Sequence, residues 1–109
     1  MNKMPNEAII VIDIAGNLIK TRAFGQHFIK KMQVLGFSLL DEFMVRPVSD
    51  DLDKQRIIRI LISEGALFLY GNGWYPSEVM EYYKDQGINF GIYKIIYWSD
   101  KDTYHIEER

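Results

Sequence analysis

Residues 7–14, EAIIVIDI, constrain the fold more than any other stretch of this chain. β-branched side chains dominate the run and it is too short for a typical helix, so it reads as a strand. Its apolar character is almost continuous rather than alternating, as in a strand covered on both faces or placed centrally in a sheet. One carboxylate, Asp13, interrupts it near its end. Ala15-Gly16-Asn17 then supplies turn chemistry, because Gly and Asn tolerate positive φ. LIKTR (18–22) can return as a short second strand. Asp13 is therefore either a reactive carboxylate at the tip of a core strand or a turn residue accepting backbone N–H bonds.

The remaining pattern alternates helices and strands. A helix is expected over about residues 23–35, where Phe24, Phe28, Met32 and Leu35 form one apolar stripe, with Gly36 as its cap. FSLLDEFMVRP (37–47) reads as extended, with Asp41-Glu42 marking a tight turn or a bulge that splits it in two. Asp50, Asp51 and Asp53 suit the positive end of a second helix, which runs to about Glu64 with Ile57, Ile58, Leu61 and Ile62 on its apolar face. ALFLY (66–70) is a short strand and GNGWYP a loop. PSEVMEYYKDQG (76–87) is a third helix with Pro76 in its first turn, and NFGIYKIIYW (89–98) a long strand. SDKD (99–102) turns the chain back into TYHIEE. This order fits a ferredoxin-like βαββαβ core extended by a C-terminal helix and β-hairpin, of the α+β type. A three-layer α/β sheet is the rival, and it needs 37–48 to be a single strand. Ile10, Ile12, Phe28, Met32, Ile58 and Leu61 are expected in the core.

At 109 residues and 48% apolar composition the chain reads as one domain, 1–109, with enough material for a normal core. The net charge of −2, from 13 basic and 15 acidic residues, argues against a dedicated nucleic-acid module. The absence of cysteine excludes a disulfide framework, a thiolate zinc site and a cysteine nucleophile, and it suits a reducing compartment. MNKMPNEAII has no apolar stretch of signal-peptide length, and no segment approaches a membrane span. These features lead us to expect a soluble cytoplasmic protein that makes no use of a membrane.

Two resemblances bear on Asp13. VIDIAGNLIKT resembles the nucleophile motif of haloacid-dehalogenase-type phosphatases, which implies a nucleophilic role for Asp13. The pattern departs at Ala15, where that motif has its second Asp, and at Asn17, where it has Thr. The small CRISPR-associated ferredoxin-like nucleases and adaptors are similar in placing an Asp at the end of their first strand and pairing as dimers that share metal. Asp13 matches that one position. FGIYKI (90–95) echoes the opening of the GIY-YIG nucleases, but only Tyr104-His105-Ile106 stands where the second half-motif would be. That stretch reads as a plain strand.

Other chemistry-bearing residues are sparse. YGNGWYP joins a strand to a helix start but lacks the further glycine of a dinucleotide fingerprint and the lysine of a phosphate-binding loop. His27 and His105 are the only histidines, and no HExxH or nucleophile elbow accompanies them. No cofactor is implied. The aromatic hairpin is richer: by period-two alternation Tyr93, Ile95 and Tyr97 share one face of the strand, and Phe90, Ile92, Ile96 and Trp98 the other. Tyr and Trp favour interfaces. The preferred expectation is thus a small binding or regulatory module that contacts a protein partner or a second copy of itself. Tyr93, Ile95, Tyr97, Trp98, Trp74 and Tyr75 would form its interface, and a homodimer its assembly. The alternative is a metal-dependent phosphodiester or phosphate-ester hydrolase centred on Asp13, helped by Asp41, Glu42, Asp50 or Asp51. In that case Asp13, Asp50 and Asp51 are the metal candidates. A third idea is single-strand stacking on Tyr and Trp, with Lys20, Arg22, Lys30 and Lys31 at phosphates.

Overall fold

The computed structural model describes residues 7–98 and 103–109. The expected turn at 99–102 lies outside them. EAIIVIDI forms strand β1 (Ala8–Asp13), and the Ala15–Asn17 turn returns the chain as β2 (Leu18–Phe24). Helix α1 (Gln26–Val34) follows, then the hairpin β3 (Ser38–Leu40) and β4 (Phe43–Pro47). Asp41, at φ 55°, makes the turn between them, so 37–47 is two strands. Helix α2 (Asp51–Ser63) leads to β5 (Leu67–Leu69), and α3 (Pro76–Asp85) to the hairpin β6 (Lys94–Trp98) and β7 (Tyr104–Glu108).

The strands make one mixed sheet in the order β3-β4-β2-β1-β5-β6-β7. β1, β5 and β6 run parallel to one another, and each remaining neighbour pair is antiparallel. Among the described residues this is an α/β domain with three helices and seven strands, and its order is not the ferredoxin-like one. The physical reason lies at Ala15–Asn17. A ferredoxin-like chain leaves its first strand through a helix, whereas this turn is too short to cross over, so β2 takes the place beside β1. Asn17 C=O then accepts from Val48 N–H at 2.9 Å, which closes β4 against the same turn.

The larger core lies under the helices. Ile9, Val11, Ile19, Met44, Phe68 and Ile95 point from the sheet onto Met32 of α1, Ile57, Ile58 and Leu61 of α2, and Val79, Met80 and Tyr83 of α3. A smaller cluster occupies the opposite face: Ala8, Ile10, Leu67 and Ile96, flanked by Ile12, Phe24, Leu69, Trp98 and Tyr104. Of the expected core residues, Ile10, Met32, Ile58 and Leu61 are fully buried, while Ile12 and Phe28 are only half-buried. Phe28 sits in the first turn of a helix shorter than its stripe suggested, because Phe24 belongs to β2.

The expected strand 89–98 is also shorter. Asn89 Oδ1 accepts from Gly91 N–H at 2.8 Å, and Gly91 takes φ +78°, a conformation few other residues adopt. Arg59 donates to Asn89 C=O at 3.0 Å and lies 4.6 Å over the Phe90 ring. This turn breaks the alternation. Phe90 packs edge-on to Tyr83 on the helix side instead of pairing with Ile96 and Trp98, and Ile92 is 71% exposed.

Candidate functional site

Asp13 owes its position to a β-bulge. The β1–β2 ladder runs Val11↔Thr21 and then Asp13↔Lys20, so Ile12 is an extra residue on β1. A bulge of this kind re-aims the side chain that follows it. Ile12, Asp13 and Lys20 consequently line the same groove on the helix-free face, at the carboxyl end of β1. Asp13 Oδ1 accepts from Ala15 N–H at 2.9 Å, which fixes the turn locally. Lys20 stands across the ladder from Asp13, but its Nζ lies 4.5 Å from the centroid of the Phe43 ring, and no ion pair joins the two.

The opposite wall is the loop after β5. Tyr70 N–H bonds to Ile96 C=O at 3.0 Å, which holds the end of β5 against β6. Ser77, 3% exposed, accepts from Gly71 N–H at 3.1 Å and donates back to Gly71 C=O at 3.2 Å. Gly73 N–H donates to Glu78 Oε1 at 2.9 Å. Gly71 is required here because a Cβ would lie 2.2 Å from Cδ2 of Tyr75. The loop is thereby tied to the first turn of α3, with Trp74 73% exposed and Tyr75 47% exposed. The groove between loop and bulge has a volume of about 330 Å³ and is lined by Ile12, Asp13, Lys20, Leu69, Asn72, Trp74 and Tyr75. Trp74 also walls a cavity on the helix side that includes Asp51, Lys54, Tyr82 and Tyr83.

The other carboxylates of the hydrolase reading are engaged elsewhere. Glu42 pairs with Arg22 at 3.4 Å, and Asp50 caps α2 by accepting from Asp53 N–H at 2.8 Å. Asp51 accepts from Tyr83 Oη and Gln55 Nε2, each at 2.6 Å. The Tyr83 bond holds the Asp51 carboxyl below its usual range, while burial, reinforced by Asp51, pushes the Tyr83 phenol up. None of Asp41, Glu42, Asp50 and Asp51 lines the groove with Asp13. Among the described residues no group of three His, Asp or Glu side chains is spaced to hold a metal ion. His27 contacts Phe28 edge-on, and His105 stacks on Tyr97 at 4.4 Å; neither lines the groove.

The six expected interface residues separate into three groups. Tyr93 and Ile95 are interior, at 7% and 0% exposure, because α3 covers that side of β6. They therefore offer no contact surface, and this part of the expected interface is corrected. Tyr93 Oη donates to Glu81 of α3 at 3.2 Å, and burial pushes its phenol up to about 12. Tyr97 and Trp98 remain half-exposed on opposite faces of the hairpin, with Tyr97 stacked between Tyr70 and His105. Trp74 and Tyr75 belong to the groove. Asn72 and Ile106 carry exposed surface that the sequence reading passed over; the apolar Ile106 amid the polar residues of YHIEE was the available signal.

No protein-family model matches the chain, and neither the curated proteins nor the solved structures contain a match. Among the described residues no helix is long and apolar enough to cross a membrane.

Proposed function

We propose that this protein is a cytoplasmic binding module that self-associates through the outer edge of β7, joining two sheets across a two-fold axis. The observation that carries the reading is the self-complementary sequence of that edge. Tyr93 and Arg109 exchange both backbone bonds, at 3.1 and 2.8 Å. Antiparallel alternation then makes Ile95–Glu107 and Tyr97–His105 the bonded pairs, and turns the backbone groups of Ile106 and Glu108 outward. Among the described residues no strand lies on that side.

A second β7 laid antiparallel and centred on Ile106 places each Ile106 against its copy, and each His105 against the partner's Glu107. Centring on Glu107 instead opposes two carboxylates, and like charges directly opposite are unfavourable. Glu107 is held for this role by Tyr97 Oη at 3.0 Å. Ile106, 42% exposed, would be covered. Edge strands of this kind are templates for a second chain.

Sedimentation tests the reading. The native chain should be a dimer at micromolar concentration, and Ile106→Glu, which sets two carboxylates face to face, should be a folded monomer. Val34→Glu, at a residue 87% exposed on α1, should remain dimeric. A native monomer throughout that range, or a dimer that survives Ile106→Glu, would refute it.

A further inference from the structure

The groove beside the β1 bulge goes beyond self-association, since it lies three strands from the β7 edge. We infer that it binds a guanine nucleoside. The polar groups it presents are few and of opposite sign: the Asp13 carboxylate, the Lys20 ammonium and the Asn72 amide. Its floor is Ile12 and Leu69, and its walls are the exposed rings of Trp74 and Tyr75. That is the composition of a small-ligand site, an apolar surface with a few convergent polar groups. Flat aromatic walls favour a planar ligand, because any nucleobase offers a π-face for stacking.

The polar set selects among bases. Asp13 spends one oxygen on Ala15 N–H, and an ionised carboxylate accepts about four hydrogen bonds in all. Among the described residues Lys20 makes no ion pair, and its ammonium carries three donors. Asp13 thus offers acceptor capacity to two adjacent donors, and Lys20 supplies a cationic donor on the same groove lining. The edge of guanine that complements them is N2–H, N1–H and O6, two adjacent donors followed by an acceptor. Adenine has one donor and turns a nitrogen lone pair toward the carboxylate, while uracil sets an acceptor on each side of one donor. The groove contains one cation and no arginine, so it needs no polyanion; a free nucleoside satisfies it.

Fluorescence titration with guanosine, inosine and adenosine is the test. The two tryptophans are Trp74 and Trp98, so Trp98→Phe leaves the groove residue as sole reporter. Guanosine should quench it saturably, and inosine and adenosine should bind tenfold or more weakly, because each brings one donor fewer to the Asp13 carboxylate and a hydrogen bond to a charged group is lost. Asp13→Asn keeps an oxygen for Ala15 N–H, so circular dichroism should be unchanged while guanosine affinity falls tenfold or more. Lys20→Met should weaken guanosine and leave adenosine little altered. Absence of saturable quenching by guanosine, equal affinity for guanosine and adenosine, or an Asp13→Asn variant that binds as well as the native chain would overturn the inference. None of these outcomes depends on the oligomeric state.

Discussion

Gly71→Ala probes the loop that builds the groove, and the structure gives both its magnitude and its sign. A Cβ at position 71 falls 2.2 Å from Cδ2 and 2.4 Å from Cγ of Tyr75. Carbon atoms rest about 3.5–4.0 Å apart, so the overlap exceeds an ångström. Cγ is the root of the ring, and no small tilt relieves the clash. One response moves the ring into solvent. Tyr75 is 47% exposed, so roughly half of the 1.5–3 kcal/mol for a large buried side chain is at stake, about 0.8–1.5 kcal/mol. The other response moves the backbone and breaks the reciprocal Gly71–Ser77 bonds, leaving a buried hydroxyl unmatched at about 1–3 kcal/mol. Either route predicts a destabilisation of about 1–3 kcal/mol, in the usual range for overpacking. Gly71 does not use left-handed backbone, so in a Tyr75→Ala background the same substitution should be neutral or stabilising by up to about 1 kcal/mol, through the unfolded chain. Urea midpoints of the four proteins in this cycle give the coupling directly. An equal cost in both backgrounds would refute the steric argument.

Phe68→Ala should cost about 3–5 kcal/mol in urea unfolding, since Phe68 is fully buried on the interior strand β5 and meets Tyr93 edge-on; a loss under about 1 kcal/mol would contradict that packing. Asp50→Ala removes the acceptor for Asp53 N–H at the start of α2 and should cost about 0.5–2 kcal/mol, whereas Asp50→Asn should retain most of it. Stability should also fall in alkali. The fold raises the Tyr93 phenol, chiefly by burial, so its contribution is complete below the ordinary value near 10 and is lost as pH rises toward about 12. Phenolate absorbance of the native chain minus that of Tyr93→Phe should show a phenol that titrates above the ordinary value near 10, and the slope of the urea midpoint above pH ~10 should be shallower in Tyr93→Phe; a difference spectrum that titrates at the ordinary value would exclude this.

How much of this was legible in the sequence depends on whether a feature is local. The Ala15–Asn17 turn and the acidic start of α2 are written in a few adjacent residues and are found where the chemistry places them, and the break at Asp41-Glu42, legible as a turn or a bulge, is a turn. Helices α2 and α3 start and stop within two residues of their expected ends, because caps and glycines mark them. Strand order is a different matter. β1 pairs with β5 across more than fifty intervening residues, and nothing in either segment names the other. The β1 bulge was equally silent, since Ile12 is as apolar as its neighbours and the ladder alone shows that it is the extra residue. Tyr93 and Ile95 were misassigned for the same reason: alternation gives two faces but not which face a distant helix covers.

That limitation also locates the groove. All three helices contribute to the core on one face of the sheet, so the smaller apolar cluster on the other face is closed by side chains alone. Near the middle of the sheet, long neighbours such as Phe24, Trp98 and Tyr104 flank Ile10 and Ile96, and those two are fully buried. At the carboxyl ends of β1 and β5 the bulge substitutes a carboxylate for the next apolar residue, and the loop tied down through Ser77 raises two aromatic rings beside it. A strand that kept its alternation would have directed Asp13 toward the helices. The one-residue insertion therefore does two things: it keeps a charge out of the helix-side core, where its desolvation would be costly, and it delivers that charge to a concave, partly apolar surface.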